Sequence, residues 1–104
     1  MNNAFSDILE NDKVLLEFSS KSCLPCKALA RKITEWKKEH PDIVFRCISI
    51  DDHPEIASNF GIYSVPAVVY YVKSKKMIEK AGYFSLEEVF VQIERIEEIL
   101  KQER

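Results

Sequence analysis

The chain contains no run of about eighteen consecutive apolar residues, the length a helix needs to cross a bilayer, so no helix is expected to span a membrane. It also has no basic excess. Fifteen Lys and Arg stand against seventeen Asp and Glu, a net charge of −2, which leaves none of the positive footprint that nucleic-acid binding requires. No repeat, linker or low-complexity stretch interrupts the sequence, so the expectation is a single domain spanning residues 1–104, long enough to bury a core without staples. Met1 to Asp7 lacks a basic segment followed by an apolar one, so no secretory leader is expected. Zinc chemistry lacks its ligands. Beside the pair Cys23 and Cys26 there is no second pair: Cys47 stands alone, and His40 and His53 fall at expected helix ends without ligand spacing. No metal and no other bound cofactor is expected. Three cysteines without an export signal fit a reducing compartment, the cytoplasm, where disulfides are transient and catalytic.

What is present centres on Cys23-Leu24-Pro25-Cys26. Two cysteines three positions apart close a disulfide only if the backbone between them turns, and a helix start supplies such a turn. Pro25 suits a first helical turn, where its missing N–H is no loss. The run behind it is rich in helix formers, with Leu29, Ile33 and Trp36 on an apolar stripe, and Pro41-Asp42 stop the helix near His40. Cys23 then sits at a helix N-terminus, where unpaired N–H groups and the helix dipole favour an anion. Its thiol should ionise below the free value of about 8.5 and act as a nucleophile. As a structural staple the pair would achieve little, because closing so short a loop restricts the unfolded chain by only roughly 2 kcal/mol.

The flanking elements follow from periodicity. Phe5, Ile8 and Leu9 predict a short helix over 4–11. The apolar run Lys13 to Ser19, with Glu17 as its single acid, predicts a buried strand, and the β-branched run Ile43 to Ile50 a second. A helical connection makes the pair parallel. Asp51-Asp52-His53-Pro54 predicts a turn capping a short helix to Phe60, with Gly61 as the left-handed residue after it. Ala67 to Lys73 predicts a third strand, entered through Val65-Pro66, and Met77 to Ala81 pairs back with it across Ser74-Lys75-Lys76. Ser85 and Glu88 form a capping box for a last helix, with Phe84 and Val89 at the staple positions and Leu86, Val89, Phe90, Ile93, Ile96 and Leu100 on its apolar stripe. The order α-β-α-β-α-β-β-α predicts an α/β fold: a central mixed sheet with helices on both faces.

From Phe5 to about Leu100 the chain resembles the thioredoxin family. The resemblance rests on Phe5-Ser6-Asp7, Val14-Leu15-Leu16-Glu17-Phe18, Cys23-Leu24-Pro25-Cys26, Ser49-Ile50-Asp51, the segment Phe60-Gly61-Ile62-Tyr63-Ser64-Val65-Pro66, and Gly82, sixteen residues beyond Pro66. It implies the thioredoxin fold and a thiol–disulfide oxidoreductase that reduces protein disulfides. Cys23 would attack a target disulfide and Cys26 would resolve the mixed disulfide. Glu17 matches the family's buried carboxylate, which takes a proton from the resolving thiol; desolvation should raise its pKa toward neutrality. Pro66 matches the family's cis-proline, and the Val65 backbone would pair with an extended substrate. Leu24, Pro25, Val65 and Gly82 then form the substrate-contacting surface. The implied partners are disulfide-containing proteins and a separate reductase of the thioredoxin-reductase type as electron donor.

Several positions depart from the family pattern. Ser22 replaces the tryptophan before the first cysteine, which predicts a more polar surface around Cys23. Leu24 replaces glycine between the cysteines and alters redox poise. The carboxylate is Glu17 rather than aspartate, and Cys47 stands where many members place a lysine beside it. Arg31 replaces a helix proline, predicting a straighter helix, and the family's first strand is missing ahead of Phe5. Cys47, in mid-strand, is expected to be a buried inert thiol. Two other readings stay open. One is a binding or adaptor module on the same scaffold with incidental cysteines; the other is a more oxidising disulfide oxidase or isomerase, since fold and motif do not set direction.

Overall fold

In β1 (Lys13–Ser19) every residue from Val14 to Phe18 is buried, as an apolar run covered on both faces requires. The computed structural model describes residues 10–102, so the helix expected over 4–11 lies outside the described residues but for its last two, Glu10 and Asn11, which form a turn and a bend. β1 runs parallel to β2 (Val44–Ser49) and antiparallel to β3 (Ala67–Val72), which pairs antiparallel with β4 (Lys75–Ala81). The sheet order is β2-β1-β3-β4. Three helices accompany it among the described residues: α1 (Leu24–Lys37), α2 (Pro54–Phe60) and α3 (Leu86–Gln102).

Alternation along the strands divides the core into two layers. Val14, Leu16 and Phe18 point to the face covered by α2, packing with Ile56, Ala57, Phe60 and Val69. Leu15 points the other way, into a cluster with Ile33 of α1, Val68 and Tyr70 of β3, and Val89 and Ile93 of α3. Helices therefore lie on both faces. On the second face Trp36 is stacked between His40, at 4.0 Å between ring centroids, and Phe90, at 4.4 Å. Its indole Nε1 donates to Glu94 Oε2 at 3.0 Å, which locks α1 to α3.

Local chemistry explains the boundaries. Ser85 Oγ accepts from the Glu88 N–H at 3.2 Å, the N-cap half of the expected box. Gly61 ends α2 in the left-handed region at φ 73°, a conformation that costs other residues more. Two details differ from the sequence expectation. The β3–β4 turn is Lys73-Ser74, with φ of 51° and 67°, rather than Ser74 to Lys76. Two positive-φ residues match the twist of a two-residue hairpin, and the extra length of β4 is absorbed by an irregularity between Tyr70 and Tyr71. Asp51 and Asp52 do not cap α2 either. His53 is its N-cap residue, with no side-chain cap bond.

Candidate active site

The site forms where β1 hands over to α1. Cys23 adopts extended dihedrals (φ −90°, ψ 99°) as the N-cap residue of α1, and Pro25 lies in the first turn. The Cys23 N–H donates to the Ser20 carbonyl at 3.2 Å, closing the approach loop. That loop is also pinned from β2's far end: Asp51 Oδ2 accepts from the Lys21 N–H at 2.8 Å, and Lys21 Nζ lies 3.3 Å from Asp52 Oδ1. The acidic pair after β2 thus holds the loop before the cysteines rather than the helix after it.

Cys23 and Cys26 are joined in a disulfide, with S–S 2.08 Å and Cα atoms 5.3 Å apart. Cys23 keeps 9% of its surface exposed and Cys26 1%, so Cys23 is the more accessible member of the pair. Its Sγ accepts from the Cys26 N–H at 3.2 Å; a donor aimed at sulfur, added to the helix dipole, favours the thiolate once the bond is reduced. The Cys26 sulfur stands 4.0 Å from the Phe18 carbonyl oxygen, so it rests against β1 immediately after Glu17.

Glu17 is completely buried. Its Oε1 faces the Cys47 sulfur at 3.9 Å, while Oε2 has no hydrogen-bond partner among the described residues. Burial pushes its carboxyl up to about 7, opposed by the Cys47 thiol. Cys47 is not the buried thiol the sequence suggested. It is exposed, because β2 is an outer strand of the described sheet and leaves Arg46 and Cys47 open to solvent. Its sulfur also lies 3.5 Å from Ser19 Oγ. On its inner side the sulfur is partly desolvated against Glu17, which raises the Cys47 thiol above its ordinary value; the Glu17 charge adds to that, against the pull of Ser19.

Above the disulfide lies a groove of about 420 Å³ lined by Ser20, Ser22, Cys23, Pro25, Val65, Pro66, Gly82 and Tyr83. The Val65–Pro66 peptide bond is cis. Gly82, at φ 80°, donates its N–H to the Pro66 carbonyl at 2.9 Å. The fold thus brings Cys23, Pro25, Val65, Pro66 and Gly82 to one groove, leaves Leu24 74% exposed beside it, and keeps Glu17 and Cys26 beneath the surface. The surroundings are less polar than Ser22 implied. Tyr83, which the sequence reading passed over, lines the groove with its side chain fully exposed. Its signal was its place beside Gly82, already marked by the resemblance. Away from the groove, His40 engages Glu97 (Nδ1 to Oε1, 3.1 Å) and Glu94 (Nε2 to Oε2, 3.4 Å) at the other end of α1.

Known proteins bear on this geometry. The chain is 32% identical over 79 residues to thioredoxin-2 of Pyricularia oryzae, covering 75% of this chain and 46% of that protein, so it spans less than half that relative's length. It is 29% identical over 91 residues to the thioredoxin of Alicyclobacillus acidocaldarius, covering 86% of this chain and 87% of the other. The structure of thioredoxin 1 from Thermosipho africanus superposes with a TM-score of 0.80 at 30% identity, covering 85% of this chain and 98% of that one. With the thioredoxin family model matching residues 1–95 as well, the chain belongs to the thioredoxin family.

Proposed function

We infer that the chain is a thiol–disulfide oxidoreductase that reduces protein disulfides by dithiol–disulfide exchange. Family membership and the Cys23–Cys26 pair at bonding distance support this activity. The observation that carries the residue roles is the asymmetry of the pair: Cys23 caps α1 at the edge of the groove, and Cys26 lies a turn inward against β1.

The chemistry runs in two exchanges. The Cys23 thiolate attacks one sulfur of a target disulfide, the target S–S bond breaks, and the departing target sulfur leaves as a thiolate. Cys26, once deprotonated, attacks the Cys23 sulfur of the mixed disulfide. The Cys23–Cys26 bond forms, and the second target sulfur departs reduced. Two electrons pass to the target and the protein is left oxidised. Glu17 accepts the Cys26 proton; a buried carboxyl titrating near 7 is matched to that transfer at neutral pH. Val65, held beside the cis bond to Pro66, offers its backbone to an extended target segment, with Leu24, Pro25, Gly82 and Tyr83 around it. A separate reductase of the thioredoxin-reductase type restores the dithiol. The protein works as one domain, in the cytoplasm. No helix among the described residues is long and apolar enough to cross a membrane.

The test is a trap. With a disulfide-bonded protein such as insulin as target, the Cys26→Ser protein should accumulate a thiol-cleavable mixed disulfide and turn over no further, while Cys23→Ser should form none. An intact turnover in either variant would remove the mechanism and restore the adaptor reading. Direction is read from the reduction potential of the pair. A value near −270 mV supports a reductase, and one above about −180 mV an oxidase or isomerase.

A further inference from the structure

Glu17 and Cys47 are partners across the β1–β2 ladder, and they differ in one respect that matters: Glu17 is wholly enclosed while Cys47 is open to solvent. The chain of contacts runs inward from the surface. Ser19 Oγ lies 3.5 Å from the Cys47 sulfur, and that sulfur lies 3.9 Å from Glu17 Oε1. A weak S–H donor is an unusual partner for a buried carboxylate, which gains more from charged or N–H donors. Nothing else relieves it, since Oε2 is unpartnered among the described residues. Across the other side of β1, the residue opposite Glu17 is the apolar Val68 of β3. On α1 the nearest cysteine along this strand is Cys26, whose sulfur lies 4.0 Å from the carbonyl oxygen of Phe18, the next residue in β1.

We propose that Cys47 is a positioning residue for the resolving step: its S–H is the donor that holds the Glu17 carboxylate and keeps it ionisable while Cys26 gives up its proton. This rests on the proton-accepting role given to Glu17 above. Removing the donor leaves the buried anion with no hydrogen bond, so the carboxyl holds its proton to higher pH and withdraws the Cys26 proton more slowly near neutrality. Because Cys47 is an exposed residue, the same effect follows from covalent capping of the thiol. In the disulfide form Cys47 is the one free thiol of the three cysteines, so an alkylating reagent reaches it alone.

The experiment follows the side-chain carboxyl of Glu17 by carbon NMR in the reduced protein across pH 5–10, together with the rate at which target is released from the Cys23 mixed disulfide. In Cys47→Ala the Glu17 midpoint should rise by about one pH unit, release at pH 7 should slow about fivefold, and the rate should recover at high pH. Cys47→Ser keeps a donor and should restore both. Protein capped with N-ethylmaleimide while oxidised, which leaves a thioether bearing no hydrogen-bond donor, and then reduced should behave as Cys47→Ala does; it is modified after folding, so a folding defect in the variant does not decide the result. An unmoved Glu17 midpoint in the alanine and alkylated proteins overturns the proposal. A Glu17→Gln protein with an unchanged pH profile would overturn it differently, by removing Glu17 from the mechanism altogether.

Discussion

The N–H of Gly82 donates to the carbonyl of Pro66 at 2.9 Å, tying the segment after β4 to the one before β3 at the floor of the groove over Cys23. Gly82 holds a φ of 80°, and a Cβ built there meets nothing within 4 Å. The need for glycine is therefore conformational and not steric. Gly82→Ala should cost about 1–2 kcal/mol, the penalty of the left-handed region for an L-residue. Denaturant unfolding should show a lower midpoint with an unchanged slope. A midpoint equal to that of the unaltered protein would mean that the loop relaxes.

Glu17 also predicts how stability depends on pH. Burial pushes its folded carboxyl up to about 7, above the ordinary carboxylate value of 4.5, so the folded state holds a proton that the unfolded state has lost. With fewer protons bound to the unfolded chain over that window, stability falls as pH rises from about 4.5 to about 7, by roughly 3 kcal/mol in total. Glu17→Gln should flatten this slope and make the protein more stable than the unaltered one at pH 8. Unfolding curves at pH 5 and pH 8 on both proteins decide it.

Tyr83 is fully exposed and lines the groove. Its removal should leave folding alone and weaken target binding. Tyr83→Ala is expected to unfold within about 0.5 kcal/mol of the unaltered protein, as surface changes do. KM for a protein disulfide should rise roughly five- to tenfold with kcat little changed, the size of one aromatic contact. A loss in kcat instead would place Tyr83 in the chemistry and not in binding.

Trp36 is the single tryptophan, so its fluorescence reports the α1–α3 contact directly. Trp36→Phe keeps a stacked ring against Phe90 but loses the bond to Glu94, and should cost about 1–2 kcal/mol without changing the reduction potential of the cysteine pair. Equal stability would mean that the bond at 3.0 Å is replaced by water at no cost.

Local patterns carried most of this fold. Cys23-Leu24-Pro25-Cys26 announced a helix start, the apolar run of β1 with Glu17 as its single acid announced a buried strand, and Ser85 with Glu88 marked where α3 begins. These are contacts between near neighbours, whose spacing is itself the physical cause of the structure. The β3–β4 turn was misplaced by one to two residues because lysine and serine carry no visible sign of positive φ; strand pairing imposed it. What only the tertiary structure decided lies between residues far apart in the chain. Glu17 and Cys47 meet across thirty positions, Asp51 reaches back to Lys21, and Tyr83 arrives at the rim of Cys23. Whether a carboxylate is sealed from water, a thiol left open or a ring placed beside a disulfide depends on which strand forms the sheet edge and which helix covers each face. The amino-acid sequence by itself determined the reactive pair and the elements that present it; the packing of those elements determined the surroundings in which the pair reacts.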